Sequence, residues 1–212
     1  MTIKRVLVLG ATGGTGQHVV AQALQRGYVV TALVRDPTRL TSVSDQLRIV
    51  TGSTTDNGDA LADATRDQDA VISALGMGNL LKSSGLIARS VPAIVQAMEQ
   101  HGVRRLVFTS AYGVGATIQD TPLLARIVIR LLLQDLYRDK AAGEEILRGS
   151  SLDWTLVHPV TLTNGPRTGR YRVGEHLVLH GLPRIARADV ADCLLNQLED
   201  PAFIKKSVLV SS

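Results

Sequence analysis

The chain is poor in cysteine and in aromatic rings. Its 212 residues hold one cysteine, Cys193, so no disulfide can form within the chain and no cysteine-based metal site can be built. Phe, Trp and Tyr make up only 3% of the residues, so the core must be assembled from Val, Leu, Ile and Ala, which suits a parallel sheet covered by helices. No apolar run reaches the length that crosses a bilayer. The opening Met1-Thr2-Ile3-Lys4-Arg5 has no signal-peptide pattern and runs directly into a strand, so the expected compartment is a reducing cytoplasm. No basic cluster is interleaved with aromatics, which excludes nucleic acid as an expected partner. There is no Gly-x-Ser-x-Gly elbow, so a Ser–His hydrolase has no support. His176 and His180 have helical spacing but lie in a segment expected to form a hairpin, so no metal site is expected. The net charge of +4 is carried by 18 arginines against five lysines, and arginine suits phosphate and carboxylate recognition.

What is present begins at Val6-Leu7-Val8-Leu9. This apolar run reads as a buried strand. It is followed by Gly10-Ala11-Thr12-Gly13-Gly14-Thr15-Gly16, and apolar residues then resume at helical spacing at Val19, Val20, Ala23 and Leu24. Strand, tight turn and helix is the arrangement that binds a dinucleotide. Gly10 lets the chain leave the strand sharply, Gly13 lets backbone approach a pyrophosphate, and Gly16 lets the helix pack close to the sheet. The free N–H groups of the first helical turn hold the phosphate charge. Gly14 lies within the same turn, and Thr12 and Thr15 add hydroxyls to it.

Strands are expected at 28–34, 47–50, 69–76, 104–110, 153–159 and 207–210. Helices are expected at 59–66, 85–101 and 185–198, with a long one from Thr121-Pro122 to Arg148. The segment 171–179 is expected to form a hairpin, and Met77-Gly78-Asn79 a loop on the nicotinamide side. Alternating strands and helices imply a single-domain, Rossmann-like doubly wound parallel α/β sheet with helices on both faces. Residues 160–184 form a small substrate-side insertion. Ligands in such sheets bind at the carboxyl ends of the strands, so Gly10, Arg35, Leu75, Ser110 and His158 are expected on one rim, with Gly76 beside Leu75. Arg35 ends the second strand, where NAD-selective folds carry an acidic residue. An arginine there pairs with a 2′-phosphate instead, which favours NADP(H) over NAD(H). Asp36 weakens this inference, since it can reach a hydroxyl. Arg39 either closes over the same phosphate or the adenine, or is a solvated surface residue. The long apolar helix is a candidate homodimer face at 121–149.

The glycine turn, Leu33-Val34-Arg35-Asp36, Thr109-Ser110-Ala111, Lys140 with Glu144, and Asp153-Trp154-Thr155-Leu156-Val157-His158-Pro159 together resemble the atypical short-chain dehydrogenase/reductases. The closest pattern is the NAD(P)H-binding NmrA-like group with its biliverdin-IXβ and flavin reductases. The resemblance spans nearly the whole chain and is specific for fold and cofactor, much less so for substrate. It implies an adenine contact just after the third strand, where Ser53 replaces the usual aspartate. It also implies a strand-end serine near the nicotinamide, Ser110. The superfamily's acid is a tyrosine four residues before the lysine. That position is Leu136 here, with Tyr137 one residue later. The departure disfavours alcohol dehydrogenases and epimerases and leaves reduction of a planar conjugated acceptor such as a flavin or quinone. The candidate catalytic residues are Ser110, Tyr112 and Lys140. Tyr112 either stacks on a planar substrate or lines the loop, Lys140 either binds cofactor or is a plain surface lysine, and His158 is either a proton donor or a bonded structural residue. The alternative to a reductase is a non-catalytic NADP(H) sensor or interaction protein of the NmrA-like type.

Overall fold

The computed structural model describes residues 3–56, 58–76, 85–115 and 133–212. The chain opens with β1 (Arg5–Leu9), α1 (Gly14–Gln25), β2 (Val29–Val34), a 3-10 turn at Pro37–Arg39 and β3 (Leu47–Thr51). It continues through α2 (Asp59–Thr65), β4 (Ala70–Ser73), α3 (Leu86–Gln100), β5 (Arg105–Thr109), α4 (Gln134–Gly149) and β6 (Asp153–Pro159). The last part holds β7 (Thr161–Thr163), β8 (Arg172–Gly174), β9 (Arg184–Ala186), α5 (Arg187–Glu199) and β10 (Lys206–Ser211). Eight strands form one sheet in the order β3-β2-β1-β4-β5-β6-β10-β8, and β7 pairs with β9 in a small second sheet. All ladders are parallel except β8 on β10. The expected doubly wound α/β sheet is the observed one.

Both faces of β1 are sealed, which is why its sequence is a continuous apolar run rather than an alternating one. Val6 and Val8 enter a core with Val19, Val20 and Leu194, under α1 and α5. Leu7 and Leu9 enter the opposite core with Leu61, Ile94 and Leu147, under α2, α3 and α4. Two polar side chains fix helix ends. Asp139 on α4 accepts the Ile87 and Ala88 amides at 3.1 and 2.8 Å, neutralising the start of α3. Helix α3 runs on through Pro92 without a break. The buried Arg105 of β5 donates to the Leu198 and Gln197 carbonyls at the end of α5, to the Asp153 carbonyl and to the Thr155 hydroxyl. Burial lowers its pKa to about 10.

Three expectations need correction. The 171–179 segment is no hairpin, because β8 pairs antiparallel with β10 instead of with 177–179. The last helix starts at Arg187, because Ile185 is taken by β9 pairing with β7. The long helix ends at Gly149, one residue past the expected Arg148, with Ser150 as its cap. Its expected beginning at Thr121-Pro122, and the loop Met77-Gly78-Asn79, lie outside the described residues.

Candidate dinucleotide site

The turn from β1 to α1 is built on glycines that have no room for a side chain. Gly10 has φ +76°, and a Cβ there would lie 2.7 Å from the Ala74 carbonyl oxygen. A Cβ on Gly16 would lie 2.0 Å from the Gly10 oxygen. The Gly13 amide donates to the Gly10 carbonyl at 3.0 Å, closing the turn. Gly13 and Gly14 face solvent, Thr12 and Thr15 are half-buried, and Ala11 and Gly16 are buried. This is a narrow, exposed backbone cradle at the start of a 12-residue helix, the shape and polarity that a pyrophosphate needs. The end of β4 lies against it: the Ala74 amide donates to Leu9, and Leu75 is half-buried beside an exposed Gly76.

Past β2, Arg35 and Arg39 are both exposed. Neither side chain makes an ion pair within 4 Å among the described residues. Asp36 lies between them, with one carboxylate oxygen engaged locally. Its carboxylate accepts from the Thr38 hydroxyl at 2.6 Å and the Thr38 amide at 3.1 Å, which caps the 3-10 turn and lowers its pKa. Gln17 ties this turn to the cradle by donating to the Thr12 and Arg39 carbonyls at 3.2 and 3.4 Å. Ser53 is half-buried, with its hydroxyl spent in a local turn on Thr55.

At the ends of β5 and β6 the polar side chains point inward. Ser110 donates to Glu144 Oε1 at 2.5 Å. His158 Nδ1 lies 3.1 Å from the Ala111 carbonyl and Nε2 lies 3.4 Å from Glu144 Oε1. Arg148 Nη2 is 3.3 Å from Glu144 Oε2. Lys140 precedes Glu144 by one turn and is 7% exposed, so it is no surface lysine; burial brings its pKa down to about 8 against the pull of Glu144 and Asp139. Tyr137 does not stand in for the missing acid. Its hydroxyl donates to the Tyr112 carbonyl at 3.0 Å, and burial raises its pKa. Tyr112 itself is half-buried against the core on the α5 side. His158 is fully enclosed, behind Ser110 rather than at an open edge. His176 and His180 are exposed, and among the described residues no three His, Cys, Asp or Glu side chains could hold a metal.

Three residues of this region carry no signal in the glycine spacing. Arg187 lies across the cradle: a Cβ on Gly14 would meet its Cδ at 3.0 Å and its Nε at 3.1 Å. Asn164 holds that guanidinium through a 2.6 Å bond. The parallel pair β7 and β9 delivers both, since Asn164 follows one strand and Arg187 the other. Glu144 is the third. Its place four residues after Lys140, on the same helix face, is the one sequence feature that points to it.

The fold and cradle define a Rossmann-type dinucleotide-binding domain. The chain belongs to the NAD(P)H-binding family, whose sequence model matches residues 10–201. Curated relatives include an uncharacterised chloroplast protein of Arabidopsis thaliana, 33% identical over 78% of this chain, of which the match covers 62%. The uncharacterised YwnB of Bacillus subtilis is 25% identical over 93% of both chains. Among solved structures, a short-chain dehydrogenase/reductase of Veillonella parvula in complex with NADP superposes with TM-score 0.82 at 21% identity, covering 100% of this chain and 95% of that one. The anaerobillin reductase ChuY of Escherichia coli O157:H7 does so with TM-score 0.80 at 23% identity, covering 98% and 96%. The resemblance to the short-chain dehydrogenase/reductases is thus borne out. Among the described residues no helix is long and apolar enough to cross a membrane.

Proposed function

We propose that the chain is an NADPH-dependent reductase that transfers hydride to a planar conjugated acceptor, a flavin, quinone or similar molecule. The observation that carries this reading is the cradle at Gly10–Gly16 together with the two uncommitted guanidinium groups of Arg35 and Arg39. The cradle and α1 hold the pyrophosphate, with Arg187 closing over it. Arg35 and Arg39 take the 2′-phosphate, while Asp36 has one carboxylate oxygen, Oδ1, engaged by Thr38. Bound there, the reduced nicotinamide supplies a hydride. Lys140 supports the cofactor ribose, and Tyr112 and the 160–184 segment lie on the acceptor side. Ser110 orients the ring carboxamide or the acceptor. The Leu136 position and the engaged Tyr137 leave no phenol at the helix position where the superfamily carries its acid, which favours a conjugated acceptor.

The reading is tested by NADPH oxidation with FMN, riboflavin and menadione. Turnover with at least one is expected. NADPH binding with no oxidation across the panel would instead support the sensor alternative. NADPH is expected to bind more tightly than NADH, and Arg35→Ala to reduce that preference about tenfold or more, the worth of a charged hydrogen bond to phosphate. Equal affinities in the parent protein would defeat the NADP preference.

A further inference from the structure

Behind Ser110 the protein buries a hydrogen-bonding group that is short of one proton. His158 is 0% exposed, Glu144 2% and Ser110 4%. The Ala111 carbonyl beside His158 Nδ1 can only accept, so Nδ1 carries the ring hydrogen. In the neutral ring, Nε2 is then a bare lone pair. Among the described residues it has no hydrogen-bond partner, and it faces Glu144 Oε1 at 3.4 Å, an oxygen that already accepts the Ser110 hydroxyl. A bare ring nitrogen against an ionised carboxylate sets two acceptors face to face in a fully enclosed place, which disfavours that state. One proton between Nε2 and Oε1 removes the conflict on whichever atom it sits.

The surrounding charges keep that proton from belonging to the ring alone. Burial is the largest influence on His158 and lowers its pKa, and Arg148 and Lys140 on α4 add to this. Glu144 and the Ala111 carbonyl pull the other way. Gly115 lies over the far side of the carboxylate, where a Cβ would be 2.9 Å from Glu144 Oε2.

We propose that Glu144 and His158 jointly hold one proton and that Ser110 relays it to the acceptor during reduction. This rests on the reductase reading above and supplies the one proton that a heteroatom of the conjugated acceptor takes up with the hydride. The acceptor gains a hydride with its electron pair from the reduced nicotinamide and, at a heteroatom, the proton of Ser110 Oγ. For this step the Ser110 hydroxyl turns from Glu144 Oε1 to the acceptor; as its O–H bond breaks, Oγ accepts the proton of the Glu144–His158 pair from Oε1, so serine ends unchanged. The pair is left one proton short and recovers it from water once product leaves. The acceptor is reduced by two electrons, and the cofactor is oxidised by two.

The resting proton is read without turnover, in the full chain labelled with nitrogen-15 in its histidine rings. His158→Gln identifies the signals. A protonated Nε2, or a buried carboxylic-acid infrared band that Glu144→Gln removes, is expected at pH 7. A bare Nε2 with no such band overturns the proposal. Glu144→Gln keeps the shape and donates its amide to Nε2, but has no proton to release. With NADPH and whichever acceptor of the panel is reduced, kcat should fall about a hundredfold in Glu144→Gln, the usual worth of general acid catalysis. KM for NADPH should hold, and the alkaline limb of the parent's kcat profile should vanish. His158→Gln should show the same loss if Glu144→Gln fails to fold. An unchanged kcat and an unchanged alkaline limb overturn the relay. A parent protein that reduces no acceptor overturns the reductase reading and the relay with it, while the resting proton is still read in the spectra, so the two failures are told apart.

Discussion

At Gly16 a single methyl group decides whether the cradle exists. Its Cβ would lie 2.0 Å from the Gly10 carbonyl, which belongs to backbone and cannot swing away. Gly16→Ala should therefore cost about 1–3 kcal/mol, as forced overpacking does, and should weaken NADPH binding, measured by chemical denaturation and titration. Lys140 sets a second test. Its pKa falls from 10.5 to about 8, so between those values the unfolded chain binds more protons than the folded one. Stability should rise with pH across that window and carry the full burial penalty below it, about 3–4 kcal/mol at roughly 1.4 kcal/mol per unit. Lys140→Met should remove this rise, read as the difference in unfolding free energy between parent and variant from pH 7 to 10.5. The glycines were legible from sequence because their spacing states a backbone requirement. The burial of Lys140 was not, because an isolated lysine on a helix reads equally well as exposed.

At the scale of elements, apolar strands declared themselves and short polar ones did not. β1, β2, β5 and β6 are buried on both faces, and such runs are visible without a partner. β7, β8 and β9 have three residues each, and their pairing depends on what the fold brings beside them. That is why 171–179 looked like a hairpin and why Ile185 looked helical. Arg187 escaped for the same reason, since only the β7–β9 pairing carries it to Gly14. Arg105 joins β5, β6 and α5 by donating to three carbonyls and one hydroxyl. Arg105→Met should strand those buried acceptors and destabilise the protein by about 3 kcal/mol, measured as a lowered denaturant midpoint with an unchanged slope.

For the molecule as a whole, cofactor and fold are linked. In the proposed binding mode NADPH would join the β1 turn, the end of β2 and the start of α5, which come together only in the folded chain. At a hundredfold excess over Kd it should add about 2.7 kcal/mol and raise Tm by roughly 5–10 °C, read by differential scanning fluorimetry. NADH at the same concentration should give a smaller rise. The doubly wound sheet was legible because strand and helix alternate along nearly the whole chain. The buried group at Ser110, Glu144 and His158 was not, because its members stand 34 and 48 positions apart from end to end in sequence and meet only through the packing of α4 on β5 and β6.

The antiparallel strand β8 has an effect unrelated to ligand. Without it, β10 would end the sheet and offer its unpaired amides and carbonyls to any neighbouring chain. Three residues with an arginine at their head occupy that row and are too short to recruit another strand. At the opposite margin β3 presents Arg48, tied to Asp63 at 2.6 Å. Both margins of a sheet otherwise rich in valine and leucine are therefore blunted against pairing with a further strand.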